Sequence, residues 1–367
     1  MKPARLNWID YARGIAIILV AYRHVYEGAK SSGVNVEEYI GLEYANIFFY
    51  SFRMPLFFIV SGIFISLSIQ KRGIQNYIGT RAKTILYPYF LWGALQLIMQ
   101  MVFAKYANGQ PDPAALLHLF YLPRELAQFW YLYALFNVSM VYLFTKFIVK
   151  IPPVINLLIG AIMFYISAII YQQNIPTGFI FDVLHYYLFF AIGDVAGKFL
   201  LSESFRKVAS SGKYLLLMLP FFLAAQTYFL LTNLNHAVAK YMYVEFYQPF
   251  VFVFISLVGC SFMIFLTHWL EKKAILKWLI VLGRYSLYIY VAHVMVSAAV
   301  RTLLKGFLHI SNPFIIIGAG VLFGIMVPVI MYKLADRFNM RWIFTLERKR
   351  NVKNNRNAIG EGATVTE

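Results

Sequence analysis

Residues 9–27 read IDYARGIAIILVAYRHVYE, a mainly apolar segment that carries ionisable side chains at both of its ends. Its length is close to the roughly 20 residues with which a helix crosses a lipid bilayer. Arg23, His24 and Glu27 stand where a secretory signal would need small residues for cleavage. We therefore expect the segment to remain in the chain as a transmembrane helix.

Nine further apolar segments predict an all-α fold, a polytopic membrane protein with about ten transmembrane helices. They cover residues 47–69, 83–104, 129–148, 153–171, 179–200, 214–232, 247–269, 286–304 and 313–335. Of all residues 60% are hydrophobic and 13% are charged, whereas about 25% are charged in a typical soluble domain. This composition excludes an ordinary soluble enzyme and a disordered chain. We expect residues 1–343 to form the membrane domain and residues 344–367 a polar, disordered cytoplasmic tail.

The lysines and arginines predict how the helices are oriented, and they account for the net charge of +17. If the N-terminus is cytoplasmic, most of the 33 Lys and Arg residues fall on the cytoplasmic side. Such an excess is typical of the cytoplasmic loops of membrane proteins. We predict a multi-pass protein of the cytoplasmic (inner) membrane with both termini inside. The positive charge, including the tail cluster Arg348-Lys349-Arg350, then indicates orientation and lipid headgroups, and it predicts no nucleic-acid partner.

Four ionisable residues of the first segment share one face of the predicted helix. Arg13 and His24 are separated by about 1100°, which is roughly 20° more than three full turns. Asp10 and Glu27 fall on the same stripe, and His24 lies about 16 Å further along the axis than Arg13. An ionisable group within hydrocarbon costs about 2.5–3.5 kcal/mol, so each requires a reason. His24 is either a general base or transient acyl carrier, or else a structural histidine near the outer interface.

The arrangement Asp-Tyr-Ala-Arg-Gly followed by His24 resembles the opening of membrane acyltransferase family 3, the bacterial O-acyltransferases of surface glycans, whose hallmark is Arg, ten residues and His. Four later stretches resemble motifs of the same family in the same order. They are Met54–Gly62 (MPLFFIVSG), Arg81–Tyr89 (RAKTILYPY), Phe129–Leu132 (FWYL) and Gly283–His293 (GRYSLYIYVAH). The chain departs from the family at Arg81-x-Lys83, where many members have Arg-x-x-Arg. The likeness is closest to the sugar O-acetylase branch.

The resemblance implies an enzyme that transfers an acyl group, most often acetyl, from cytoplasmic acyl-CoA to a hydroxyl of an extracytoplasmic or lipid-linked glycan. His24, Glu27 and Arg13 would form the catalytic group, with Glu27 orienting the imidazole or holding its proton. Acetyl-CoA or another acyl-CoA would be a co-substrate, so no permanently bound cofactor is expected. The partners would be the acyl-CoA donor, a carbohydrate acceptor and the lipid bilayer. The spacing of the histidines predicts no metal site.

Five residues are candidates to bind the acyl-CoA donor. Arg13, Arg81 and Lys83 lie at the predicted cytoplasmic mouth, where cations can bind phosphates. Orientation and headgroup binding are the alternative for Arg81 and Lys83. Ser286 and His293 share a helix face, and they are expected either to line the thioester path or to make hydrogen bonds between helices.

Four residues near the outer side are candidates to bind the acceptor, namely Arg53, Trp130, Asp182 and His185. Asp182 and His185 are three residues apart and therefore face the same way, so a structural pair is the alternative. Arg53 can instead extend to the membrane interface or meet Glu27.

Two structural expectations and a second class of function complete the analysis. Residues 274–282 are expected to form a short interfacial helix, and Asp194 and Lys198 an ion pair on one helix. A transporter or flippase of a polysaccharide intermediate would also suit ten helices with intramembrane charges. It would leave the acyltransferase-like motifs unexplained, and a non-catalytic scaffold would leave His24 dispensable.

Overall fold

The computed structural model describes residues 6–103, 112–236 and 242–347. Within these ranges the chain forms helices and turns and no β-strand, which confirms the all-α class. The tail cluster Arg348-Lys349-Arg350, and with it the predicted disordered tail from residue 348 onward, lies outside the described residues.

Seventeen α-helices follow one another in the described chain. The first nine are α1 (Asn7–Ser31), α2 (Ile40–Phe48), α3 (Tyr50–Ile63), α4 (Ile65–Arg72), α5 (Ile74–Arg81), α6 (Tyr87–Val102), α7 (His118–Tyr121), α8 (Trp130–Leu143) and α9 (Pro153–Gln172). The others are α10 (Phe179–Leu200), α11 (Glu203–Ala209), α12 (Gly212–Leu234), α13 (Tyr243–Tyr247), α14 (Pro249–Lys273), α15 (Trp278–Arg284), α16 (Ser286–Thr302) and α17 (Pro313–Arg337). Short α15 begins within the predicted interfacial segment.

Nine continuous helical stretches of the described chain are long and apolar enough to cross a membrane. They are Ile40–Arg72, Ile74–Val102, Pro123–Ile148, Pro153–Gln172, Phe179–Leu200, Gly212–Leu234, Pro249–Lys273, Ser286–Phe307 and Pro313–Arg337. These stretches contain or overlap the second to tenth predicted segments, which confirms a polytopic membrane protein. The first predicted segment lies in α1, which is 25 residues long but carries more charged residues than the other nine. The orientation of the bundle in the membrane stays a prediction.

Helix α1 occupies the interior of the bundle, where it packs against α14, α15, α16 and α17. Its middle turns are apolar and completely enclosed, with Ile17 and Ala21 at 0% exposure. Near its beginning, α1 crosses α15 so closely that Gly14 faces the Leu279 backbone and Gly283 faces the Asp10 backbone. Small residues allow such close approach between membrane helices, and here they hold α1 in place.

The predicted ion pair between Asp194 and Lys198 is wrong. Asp194 is buried on α10 and is paired instead with Lys146, from the helical turn that follows α8. Ser66 and Tyr142 donate further hydrogen bonds to the Asp194 carboxylate, at 2.5 and 2.7 Å. The Asp194 carboxylate therefore links α10 to α4, to α8 and to the turn after α8. Helix packing brings the donors on these elements closer to the carboxylate than Lys198, one turn further along α10.

The chain after α17 folds back onto the bundle before the description ends at residue 347. The Trp92 indole N–H donates to the Ile343 carbonyl at 2.8 Å, and Thr345 donates to the Lys83 carbonyl at 3.3 Å. Phe344 and Thr345 are buried. The first residues of the expected tail are thus packed against the membrane domain.

The close contact between α3 and α10 gives a test of the packing. A Cβ at Gly62 would lie 2.1 Å from the Phe190 carbonyl oxygen, and one at Gly193 would lie 2.1 Å from the Ile59 carbonyl oxygen. Because backbone atoms cannot move aside without separating the helices, we expect Gly62→Ala to lower the free energy of unfolding by about 1–3 kcal/mol. The measurement is the thermal unfolding midpoint in detergent.

Gly318→Ala is the matched control, since a Cβ at that position of α17 meets nothing within 4 Å. Its midpoint should equal or slightly exceed that of the unmodified protein, because alanine favours helix. Equal midpoints for both variants would contradict the described packing of α3 on α10.

Candidate active site

A cavity of about 260 Å³ lies among α1, α3, α10, α13, α16 and the turn that leads into α8. Its polar walls are unusual for the interior of a membrane bundle. The charged and ionisable side chains that line it are Arg23, His24, Glu27, Arg53, Arg124 and Glu245, and the aromatic ones include Tyr50, Trp130, Tyr186 and Tyr290. Of the residues predicted for catalysis and acceptor binding, the cavity brings together His24, Glu27, Arg53 and Trp130.

His24 lies beside a second imidazole, that of His293 on α16. The ring centroids of the two histidines are 5.4 Å apart. Nδ1 of His293 lies 3.1 and 2.8 Å from the carbonyl oxygens of Ile289 and Tyr290, and since a carbonyl only accepts, this nitrogen carries the proton. Nε2 of His293 is therefore an acceptor, and it is buried without a hydrogen-bond partner. The predicted donor-site residue His293 is thus a neighbour of His24.

Glu27 forms an ion pair with Arg23, one turn earlier on α1, at 2.9 Å. No hydrogen bond joins the Glu27 carboxylate to the His24 imidazole among the contacts of these two described residues. Arg23 also lies over the Tyr50 ring, with its guanidinium carbon 5.1 Å from the centroid. Glu27 consequently orients Arg23. The expected role of Glu27 in orienting the His24 imidazole or holding its proton stays a prediction.

Asp182 and His185 are completely buried behind the cavity wall. Asp182 accepts from Arg124 at 2.7 Å, and Arg124 also lies over the Trp130 ring at 4.9 Å. His185 lies 2.9 Å from Glu245, whose other carboxylate oxygen accepts from Tyr50 at 2.8 Å. Neither Asp182 nor His185 reaches the cavity, so any part that they take in acceptor binding acts through the wall residues they hold.

The candidates for donor binding lie toward the other end of the bundle. Arg13 and Arg81 both lie within electrostatic reach of the Tyr131 hydroxyl. The Tyr131 ring contacts Tyr290, with centroids 5.3 Å apart, and Tyr290 in turn is 5.9 Å from His293. A line of aromatic side chains therefore connects the Arg13 and Arg81 region with the histidine pair.

Two predicted donor residues stand apart from this line. Lys83 is exposed and borders a surface depression together with Asn76 and Glu347. Ser286 begins α16 and is partly buried, away from the cavity. Neither contacts the histidine pair in the described chain.

No group of three or more His, Cys, Asp or Glu residues within the described ranges is placed to hold a metal ion. The single Cys260 is buried on α14 and lies 3.8 Å from the Phe52 carbonyl oxygen. What the cavity offers chemically is an imidazole, several guanidiniums and carboxylates, and aromatic faces. This set suits proton transfer and the binding of a polar ligand.

The fold and the family comparison define the chain as a membrane-embedded acyltransferase. Residues 6–333, from the beginning of α1 into the last turns of α17, match the family model described as an acyltransferase domain, acyltransferase family 3. The chain therefore belongs to this family, as its motifs predict. No curated protein and no solved structure matches it significantly.

Sequence reasoning missed three of the cavity's charged residues, namely Arg23, Arg124 and Glu245. Arg23 points away from the stripe of Arg13 and His24, and Arg124 and Glu245 lie just before apolar segments, where they look like ordinary boundary residues. The one sequence feature that could have pointed to Arg124 and Glu245 was their position at the borders of the fourth and eighth predicted segments. Only the packing of α10 and α13 shows that both side chains turn inward.

The pair of Arg124 and Asp182 predicts a measurable contribution to stability. Asp182→Ala leaves the guanidinium without its carboxylate at the cavity wall. Breaking a fully buried pair costs about 3–5 kcal/mol, and since Arg124 is open on its cavity side we expect about 2–3 kcal/mol. The measurement is the unfolding midpoint in detergent.

Glu203→Ala is the matched control, because its pair with Arg206 is 3.9 Å long and both side chains are exposed. An exposed pair of this kind contributes close to nothing. If Asp182→Ala lowered the unfolding midpoint no more than Glu203→Ala, the pair of Arg124 and Asp182 would not stabilise the cavity wall.

Proposed function

We propose that this acyltransferase moves an acyl group, most simply acetyl, from cytoplasmic acyl-CoA to a hydroxyl of an extracytoplasmic or lipid-linked glycan in the cytoplasmic membrane. His24 is the reacting histidine. The single observation that carries the proposal is the position of His24 on the wall of a polar cavity, beside the acceptor nitrogen of His293. Family membership supports acyl transfer over the transporter alternative.

In the direct scheme, His24 acts as a general base on the acceptor hydroxyl. The hydroxyl oxygen attacks the thioester carbonyl as its proton passes to the imidazole. The carbon–sulfur bond then breaks, and the CoA thiolate leaves and takes up the proton. His293 is proposed as a positioning residue, because its free Nε2 can accept the N–H of His24 and so direct the other nitrogen of His24 toward the hydroxyl.

In the carrier scheme, the His24 nitrogen itself attacks the thioester, and CoA leaves before the acceptor arrives. The acyl group then passes from the imidazole to the sugar hydroxyl. The two schemes place the same residue at the same point, and they differ in whether a covalent intermediate forms.

The donor is proposed to enter at the end of the bundle where Arg13 and Arg81 lie. Their guanidiniums would hold the phosphates, since Arg binds phosphate oxygens in a planar, two-pronged manner. The pantetheine arm would follow Tyr131 and Tyr290 toward His24, along the line of rings described above. About 16 Å of helix α1 separates Arg13 from His24, so an extended arm is needed to span this distance.

The acceptor is proposed to occupy the cavity on the far side of His24. Trp130 and Tyr186 stack on each other there, with centroids 5.5 Å apart, and both line the cavity. Aromatic faces with polar groups at their edges suit a sugar, which has apolar faces and hydroxyl edges.

His24→Ala should abolish acyl transfer, with a loss of at least about 100-fold, because general base catalysis contributes that much or more. The assay uses purified protein, acetyl-CoA and a panel of saccharides, with release of free CoA as the readout. His236→Ala is the matched control, since His236 follows the end of α12, stacks on Tyr243 and does not line the cavity. Full activity of His24→Ala would contradict the proposal.

Labelled acetyl-CoA without an acceptor separates the two schemes. The carrier scheme predicts an acid-labile label on the protein that His24→Ala abolishes. The direct scheme predicts no such label while transfer to saccharides persists.

Arg81→Gln should raise the KM for acetyl-CoA by about 10-fold with little change in kcat, because a charge-assisted hydrogen bond to phosphate contributes about 1.5–3 kcal/mol to binding. The effect should shrink at high salt. Lys272→Gln, which changes an exposed cation at the end of α14, is the control. An unchanged KM for Arg81→Gln would remove Arg81 from the donor site.

A further inference from the structure

We infer that the acceptor carries an anionic group, a carboxylate or a phosphate, and that Arg53 binds this group beside His24. The inference rests on the proposed transfer to a hydroxyl and narrows the class of acceptor to acidic saccharides.

Arg53 is held rigidly at the cavity wall. It lies in the first turn of α3, and it is only 2% exposed. Its Nη1 donates to the Leu19 carbonyl at 3.1 Å and to the Asn46 side-chain oxygen at 3.3 Å. Its other terminal nitrogen, Nη2, is also buried but has no hydrogen-bond partner. The guanidinium therefore has a fixed orientation and an unused donor.

Two of the other charged groups of the cavity wall have carboxylate partners within the protein. Arg23 is paired with Glu27 at 2.9 Å. Arg124 is paired with Asp182 at 2.7 Å. Each of these pairs is electrically neutral, so Glu27 acts on Arg53 only from within its pair with Arg23, and Nη2 of Arg53 stays without a hydrogen-bond partner.

Glu245 is likewise neutralised by His185. The Ser167 hydroxyl donates to the Phe164 carbonyl at 2.6 Å, so the His185 Nδ1 that lies 2.9 Å from the Ser167 oxygen must be the donor to it. The other nitrogen, Nε2, faces a Glu245 carboxylate oxygen at 2.9 Å. A proton lies between these two atoms, and the pair carries no net charge whether it resides on His185 or on Glu245.

Arg53 thus remains a buried cation that pairs with no carboxylate of the described chain. A charge removed from water costs several kcal/mol unless a counter-ion compensates it. A ligand that brings its own carboxylate or phosphate would supply the counter-ion and use the idle Nη2. Arg53 and His24 line the same cavity, so the anion would sit close to the reacting hydroxyl.

The aromatic walls fit the remainder of such an acceptor. Trp130 and Tyr186 offer faces for a sugar ring, and the guanidinium carbon of Arg53 lies 5.5 Å from the centre of the Tyr50 ring. The ligand chemistry is therefore a saccharide with an acidic substituent. The acid can be the carboxylate of a uronic acid or a sugar-bound phosphate, including one of a lipid-linked sugar.

The test compares methyl glucoside, methyl glucuronide and glucose 6-phosphate as acceptors for the purified full-length protein with saturating acetyl-CoA. We expect the unmodified protein to favour one or both acidic sugars over the glucoside. Arg53→Gln should raise the KM for the favoured acidic sugar roughly 10- to 100-fold, and leave the KM for the glucoside unchanged. The KM of Arg53→Lys for the acidic sugar should lie between those of the unmodified protein and of Arg53→Gln, because lysine keeps the charge but lacks the planar guanidinium.

Arg206→Gln is the control for a lost arginine, because Arg206 is an exposed residue of α11. The glucuronide and phosphate arms distinguish the two sources of the anion. A drop in kcat that is equal for all three acceptors would overturn the inference, since it would place Arg53 at the thioester oxygen. Equal use of neutral and acidic sugars by the unmodified protein would overturn it as well.

Binding without acetyl-CoA separates this inference from the proposed function. Titration calorimetry should show the acidic sugar bound at least 10-fold more tightly than the glucoside, and Arg53→Gln should remove the difference. If binding behaves so but no acyl transfer occurs, the proposed function fails and the anion site stands. If transfer occurs without a preference for acidic sugars, the anion site fails alone. If Arg53→Gln does not fold, Arg53→Lys and the comparison of sugars on the unmodified protein decide the matter.

Discussion

A charged side chain inside a membrane bundle needs a partner of opposite charge, and this requirement shapes the interior of the protein. Asp182 with Arg124, Glu245 with His185 and Asp194 with Lys146 each join helices that are far apart in the sequence. The pairs are therefore structural links as well as solutions to the cost of burial. They form the walls of the cavity or the bundle beneath it, and they keep its polar groups in fixed orientations.

Helix α1 carries His24, the residue proposed to react, and the position of this helix depends on close packing. Gly14 and Gly283 let α1 and α15 approach until backbone atoms are in contact. This contact holds the Arg13 end of the helix, while α16 places His293 against the His24 end. The polar stripe on this helix would in this way connect the proposed donor site near Arg13 with the proposed acceptor site beyond His24.

The periodic features of the sequence were predictable, because they depend on neighbours along one helix. The apolar segments matched the described helices, and the stripe of Arg13 and His24 points inward on α1. The family motifs, read from the same residues, agree with the match over residues 6–333. Pairings along one helix were less reliable. Asp194, for example, pairs with Lys146 rather than with Lys198 of its own helix.

The sequence by itself determined an all-α membrane protein of the acyltransferase family and singled out His24, Arg53 and Trp130. Helical periodicity and hydrophobic length are local properties, so they are visible without a structure. Only the tertiary structure decided that Arg23 and Arg124 of the cavity wall pair with carboxylates, and that Arg53 makes no such pair within the described residues. Ion pairing across a bundle depends on distances between residues such as Arg124 and Asp182, which no spacing along the chain reveals. For this reason, only the packed helices show that Nη2 of Arg53 has no hydrogen-bond partner.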